Sequence, residues 1–196
     1  MSVESVRLIL GSASPRRLEL LAQIGITPVV IPADIDESTI RSTDPGTLVE
    51  LLANAKHDAV IKRIRTTDPT LLTDHWILTA DTVVVLDDDV LEKPVDETEA
   101  TRMMERLSGR THRVITGITV SGPGGPRTTH REITAVTFVE LAPVEIAWYV
   151  ATGEWHDVSG GYRIQGRGAR YIASINGSHS NVVGLPLHLV YSILRG

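Results

Sequence analysis

Asp81 stands inside "TADTVVVL" (79 to 86), a run that is otherwise apolar or carries only hydroxyls. A carboxylate in such a run needs a partner or a task, because burying it alone is costly. A second acidic group, "DIDE" (34 to 37), closes an extended stretch and brings Glu37. Two carboxylates, water and phosphate oxygens make the ligand set that a hard cation such as Mg²⁺ prefers. Glu37 and Asp81 are therefore candidate metal ligands. The plainer alternative is an aspartate bonded to nearby backbone. Lysine occurs only at positions 56, 62 and 93. Lys56 lies four residues from both Leu52 and Val60, on the apolar side of its helix, where it must snorkel to water or meet an anion. Lys93 ends a strand before Pro94, where a lysine is solvated or reaches a ligand.

Other candidates cluster in "GSASPRR" (11 to 17). A helix start offers free N–H groups and a partial positive charge, and phosphate binds there. Ser12 and Ser14 add hydroxyls, and Arg16 and Arg17 add forked cations. Arginines in a first turn oppose the helix dipole, which favours a bound anion. A serine N-cap followed by solvated arginines is the simpler reading. The stretch lacks the G-x-x-x-x-G-K-[ST] of the common phosphate loop. A third segment, "GEWHDVSGGYRIQGRGARYI" (153 to 172), combines close-approach glycines with Gln165, whose amide can donate and accept on a base edge. Without that ligand it is a glycine-rich surface loop. "DDD" (87 to 89) reads as a hairpin tip.

The elements that position these residues follow from period and punctuation. "VRLIL" (6 to 10) reads as a strand. Ser14 caps a helix with Pro15 at its first position; Leu18, Leu21 and Ala22 form its apolar face, and Gly25 stops it. Residues 28 to 35 read as a second strand. Asp44 and Pro45 open a longer helix lined by Leu48, Leu51, Leu52, Ala55, Ala59 and Val60. Residues 76–86 and 90–93 form a hairpin. A helix over 97–108 precedes two strands joined by "SGPGGP" (121 to 126). A helix runs from Pro143 to Gly153. Residues 154–170 are polar and too long for a plain connection. A strand over 170–175 and a helix over 186–194 finish the chain. Mixed βα units and hairpins imply an α/β protein with a mixed, twisted sheet and flanking helices. Ligands in such sheets sit at loop ends.

Composition narrows the function. The chain has 196 residues, 42% of them hydrophobic, enough for one domain spanning 1–196 or one domain with two lobes. Its net charge of −5 and the absence of any basic run longer than two residues argue against a nucleic-acid polymer as partner. No cysteine is present, so disulfides and thiolate chemistry are excluded. No apolar run approaches the roughly 20 residues of a membrane span, and no signal peptide is visible. A soluble, cytoplasmic protein is expected. The seven histidines show no zinc-helix spacing, and no G-x-S-x-G elbow appears.

Taken in order, "SASPRRLELL", "DIDE", "LANAKHDAV", "ADTVVVL", "LEKP", "LSGRTHRVITG", "YVATGEWHD", "GGYRIQG" and "NVVGLP" resemble the Maf family end to end. Maf proteins, also called septum formation proteins, are nucleoside triphosphate pyrophosphatases. The resemblance implies a mixed sheet in two lobes around a deep nucleotide-binding cleft, often paired as a homodimer. It implies cleavage between the α and β phosphates with Mg²⁺ or Mn²⁺. By position, Asp81 matches the catalytic aspartate, as proton acceptor for water or as metal ligand, and Glu37 matches a metal-associated glutamate. Ser12, Ser14, Arg17, Lys56 and Lys93 match the phosphate-side set. Arg16, Thr82 and Gln165 match positions linked to base selectivity. The "Y-x-I-Q-G" form resembles the branch acting on dTTP and UTP. The alternatives are the family's 7-methyl-GTP branch and a nucleotide-binding regulator of cell division without turnover. The chain departs from the family's usual "D-K-A-G-A-Y-G-I-Q-G" with "DVSGGYRIQG", where Val158 stands for lysine and Arg163 for glycine, and His57 stands for alanine.

Overall fold

A computed structural model describes residues 6–195. The first strand, β1 (Leu8–Leu10), is buried along its whole length. It lies parallel to β2 (Val29–Val30) on one side and to β3 (Trp76–Leu86) on the other, with Ile9 opposite both Val29 and Ile77. A strand flanked by parallel neighbours and covered on both faces is apolar at every position, as "LIL" is.

Helix α1 (Pro15–Gln23) follows, with proline at its start. It ends in a Schellman turn: Ile26 N–H donates to Leu21 O at 3.0 Å and Gly25 N–H to Ala22 O at 3.0 Å, with Gly25 at φ 77°. Two expectations fail here. The Ser14 side chain makes no capping bond. The buried face is Arg17, Leu20 and Leu21, while Leu18 and Ala22 are exposed. Bonding of the Arg17 guanidinium inside the protein turns the helix this way.

Helix α2 (Pro45–Thr67) is capped by the Asp44 carboxylate, which accepts from Thr47 N–H at 2.8 Å. Its buried stripe is Gly46, Val49, Leu52, Ala53, His57, Val60 and Ile64, so Leu51 faces solvent. Two glycines fix this rotation. A Cβ at Gly117 would lie 2.5 Å from Val49 O, and one at Gly11 would lie 2.8 Å from Val60 Cγ2. The helix rests on backbone that has no side chain at these two points.

A short helix, α3 (Leu71–Asp74), leads into β3. Antiparallel β4 (Asp89–Leu91) returns beside β3 with Val84 opposite Leu91. Helix α4 (Glu97–Leu107), capped by Asp96, buries Ala100, Met103, Met104 and Leu107. Strands β5 (Thr111–Ser121) and β6 (Arg127–Phe138) precede α5 (Pro143–Ala151). Residues 154–170, unassigned from sequence, contain one 3-10 helix at Ser159–Gly161 and most of another at Arg167–Tyr171. Strand β7 (Ile172–Asn176) pairs antiparallel with β6. Helices α6 (His179–Val183) and α7 (Leu187–Arg195) end the described chain.

The seven-stranded mixed sheet has the order β2-β1-β3-β5-β6-β7, with β4 beside β3. The expected second strand over 28–35 shrinks to Val29–Val30, both exposed at the sheet edge. Two compact units emerge. The first comprises the described residues up to Asp81, then Thr116–Glu132, then those from Gly184 on. The second comprises Thr82–Ile115 and Ile133–Val183. Ile9, Val60, Ile64 and Ile77 form a core cluster of the first. Met104, Phe138, Tyr149, Tyr162 and Tyr171 are among the core of the second. No described helix is long and apolar enough to cross a membrane.

Candidate active site

In the first unit, strand period and helix period bring Asp81 and Lys56 together. Residues 79 and 81 share a face of β3. Thr79 Oγ1 donates to Ala53 O of α2 at 2.7 Å, and one helical turn on Lys56 Nζ meets Asp81 Oδ1 at 2.6 Å. Asp81 is only 8% exposed, so the expected partner exists and is a cation. Glu37 opens a 3-10 helix (Glu37–Thr39) whose cap, Asp36, accepts from Ser38 N–H at 3.0 Å. Its Oε1 reaches the same Nζ at 2.8 Å. One ammonium thus joins two carboxylates that are 44 residues apart in sequence, and Lys56 does not snorkel.

The turn from β1 to α1 forms the second part. Gly11 N–H donates to Leu78 O at 2.8 Å, which holds the turn against β3. Ser12 Oγ accepts from Ser14 N–H at 3.2 Å and from Arg17 Nη1 at 3.0 Å. Arg17 Nε donates to Gly184 O at 2.9 Å. Burial pulls the Arg17 guanidinium below its ordinary value, while the Asp81 charge pulls the other way. Arg17 is therefore a buried brace tying the turn to the "NVVGLP" segment. Arg16, beside it, is half-buried. The sequence singled out Arg17 but not its partner, since a backbone carbonyl has no residue signature.

Among the described residues, no group of three or more His, Cys, Asp or Glu could hold a metal ion. The pair Glu37 and Asp81 converges on one point, the Lys56 ammonium. Their carboxylate oxygens are hard donors, of the kind that Mg²⁺ or Mn²⁺ takes rather than a closed zinc site.

The remaining predicted residues belong to the second unit. Thr82 follows Asp81 in β3, and its carbonyl accepts from Ser159 Oγ at 3.2 Å. Lys93 is exposed just after β4. Gln165 is exposed on the turn between the two 3-10 helices. Val158, where the family usually has lysine, is buried. Arg163 bonds to His156 O at 3.0 Å through Nη2. In the first unit, by contrast, His57 is buried with Nε2 2.9 Å from Ser121 Oγ, and burial lowers its pKa to about 4.

A family model described as Maf-like protein matches residues 7–196. A dTTP/UTP pyrophosphatase of Moorella thermoacetica is 49% identical over 189 residues, covering 96% of this chain and 93% of the relative. Proteins of the same name from Symbiobacterium thermophilum and Hyphomonas neptunium are 47% and 45% identical, over 96% and 98% of this chain and 92% and 96% of theirs. The Staphylococcus aureus Ham1 protein shares the fold, with TM-score 0.55 at 14% identity, covering 97% of this chain and 98% of its own.

Proposed function

Because the chain belongs to the Maf family, we propose that it hydrolyses dTTP and UTP to the nucleoside monophosphate and pyrophosphate. The observation that carries this reading is the buried Asp81, held by Lys56 in a pair that Glu37 completes. Water attacks the α phosphorus and the bond to the bridging oxygen breaks, so pyrophosphate leaves. Phosphoryl chemistry of this kind needs positioning and charge neutralisation rather than a covalent intermediate. Lys56 contacts Asp81 through Oδ1, which leaves Oδ2 to take the proton of the attacking water. Ser12, Ser14 and the start of α1 bind phosphate oxygens, with Arg16 and Lys93 as further cations. Arg17 acts through Ser12, whose acceptor positions it and Ser14 N–H fill, so that the hydroxyl proton points to the substrate. Gln165, with Arg16 and Thr82, reads the base. Glu37 and Asp81 would hold a divalent cation, which would neutralise phosphate charge.

The test is pyrophosphate release from dTTP, UTP, CTP, 5-methyl-UTP, GTP and 7-methyl-GTP, with Mg²⁺ and with Mn²⁺. Asp81→Asn is run in parallel. We expect turnover of dTTP and UTP, and none in the variant, which stays folded by circular dichroism. Turnover of 7-methyl-GTP alone would keep the enzyme and overturn the base assignment. Nucleotide binding without any turnover would favour the regulator.

A further inference from the structure

We propose that α5 and the turn behind it set base selectivity by clamping the backbone on both sides of Gln165, with Tyr149 and Glu154 as positioning residues. This rests on the reading that Gln165 meets the base.

Gln165 is exposed, yet the residues around it are held tightly. Tyr162 and Ile164 on its N-terminal side are 5% exposed. Tyr162 Oη lies 2.7 Å from His112 Nε2, and its ring packs edge-on to Phe138. Two residues before Gln165, Arg163 N–H donates to Tyr149 Oη at 3.0 Å. Two residues after it, Arg167 N–H donates to Glu154 Oε2 at 2.7 Å. Gly166 N–H turns back to Arg163 O at 3.2 Å, which closes the turn between these two pins. Gly168 keeps the next residues close, since a Cβ there would lie 2.7 Å from Arg163 O.

The pins come from α5 and from the turn that follows it. Tyr149 is fully buried on α5. Glu154 follows the helix end and is tied to it: Thr152 Oγ1 donates to Tyr149 O at 2.7 Å and accepts from Glu154 N–H at 3.2 Å. Burial raises the Tyr149 pKa to about 12, so its oxygen stays neutral at working pH. Neither residue offers its polar group to a nucleotide; each uses it on a backbone N–H. A flexible amide such as that of Gln165 distinguishes a one-ring from a two-ring base only if its Cα is fixed. A misplacement of about 1 Å can cost on the order of a hundredfold. The clamp supplies that fixed point.

The experiment measures kcat and KM for UTP and GTP by pyrophosphate release in the parent, Gln165→Ala, Tyr149→Phe, Glu154→Ala and Glu154→Gln. Tyr149→Phe and Glu154→Ala should each lower the UTP-to-GTP ratio of kcat/KM by about tenfold. The loss should appear as a raised KM for UTP with kcat retained. Glu154→Gln, which keeps an acceptor oxygen, should restore the ratio. Unchanged ratios in both clamp variants, with a lowered ratio in Gln165→Ala, would overturn the clamp and leave the base reader standing. An unchanged ratio in Gln165→Ala would instead remove the reading beneath it. A proportional loss for both nucleotides with the ratio intact would reduce Tyr149 and Glu154 to structural residues. Glu154→Ala keeps the question answerable if Tyr149→Phe fails to fold.

Discussion

Lys56 is one cation shared by two carboxylates, with Nζ 2.6 Å from Asp81 and 2.8 Å from Glu37. The two contacts are unequal. The Asp81 side chain is 12% exposed and that of Glu37 is 54% exposed, so water screens the second far more than the first. Removing the ammonium strands a buried charge, and breaking such a pair is far costlier than the pair's net contribution. Lys56→Met should therefore lower stability by about 3 kcal/mol at neutral pH. Asp81→Asn should cost less, because Lys56 keeps Glu37. The double variant should recover most of the loss, a coupling that urea unfolding of all four proteins measures directly. Additive losses would show that the ammonium does not hold the Asp81 charge. Arg17 makes a parallel case. Its forked guanidinium bonds Ser12 Oγ and Gly184 O at once, and a single ammonium cannot repeat that geometry. Arg17→Lys should raise KM for UTP and destabilise by about 1.5 to 3 kcal/mol, the range for hydrogen bonds to charged groups.

At the scale of elements, the site depends on how closely α2 lies on the sheet. A Cβ at Gly117 would meet only backbone: Val49 O at 2.5 Å, Val49 C at 2.6 Å and Glu50 N at 2.9 Å. Nothing there can rotate away, so Gly117→Ala must shift α2, and Lys56 lies two turns further along it. We expect a loss of about 1 to 3 kcal/mol and slower turnover, read from thermal unfolding and pyrophosphate release. Gly124→Ala is the control. Its Cβ would meet nothing within 4 Å, so only its φ of 60° is strained and turnover should hold. The existence of α2, α4 and α5 was legible in the sequence: Asp44, Pro45 and Pro143 mark two of the starts, and α4 was expected over 97–108. Their rotation was not. Leu51 turns out and Val49 turns in because Gly11 and Gly117, both remote in sequence, receive the helix. Val29 and Val30 look like any strand, but only their place at the sheet edge explains why the strand stops after two residues. At the site, the type of Asp81, Glu37 and Lys56 announced chemistry, while the bond joining all three needed the fold. Tyr149 and Glu154 carried no signal, because each serves a backbone N–H.

The whole chain interleaves its two units: the first takes three segments and the second two. The α/β class followed from element order, but no linker or composition shift marks these crossings. Each unit contains a buried histidine, and this sets a stability limit in acid. His57 in the first unit is lowered to about 4 by burial, then by Arg127, with Asp58 opposing. His112 in the second is lowered to about 4 by burial. An unfolded histidine titrates near 6.5. Above that value both states are neutral and stability is full. As pH falls from 6.5 towards 4, the unfolded chain gains protons that the folded chain refuses, so stability is lost. Each histidine then contributes a loss of up to about 3 kcal/mol, at roughly 1.4 kcal/mol for each pH unit crossed in that window. Acid stability sums over every group whose proton uptake differs between the folded and unfolded chain, so the single-site effect is isolated by comparison. His57→Ala removes one of the two groups. The stability advantage of the parent over that variant should shrink steadily from pH 7 to pH 4.5 in urea unfolding. A constant difference would mean that the His57 ring takes up its proton in the fold as readily as in the unfolded chain, and a growing one that it is held inside the fold as a cation bonded to Ser121 Oγ.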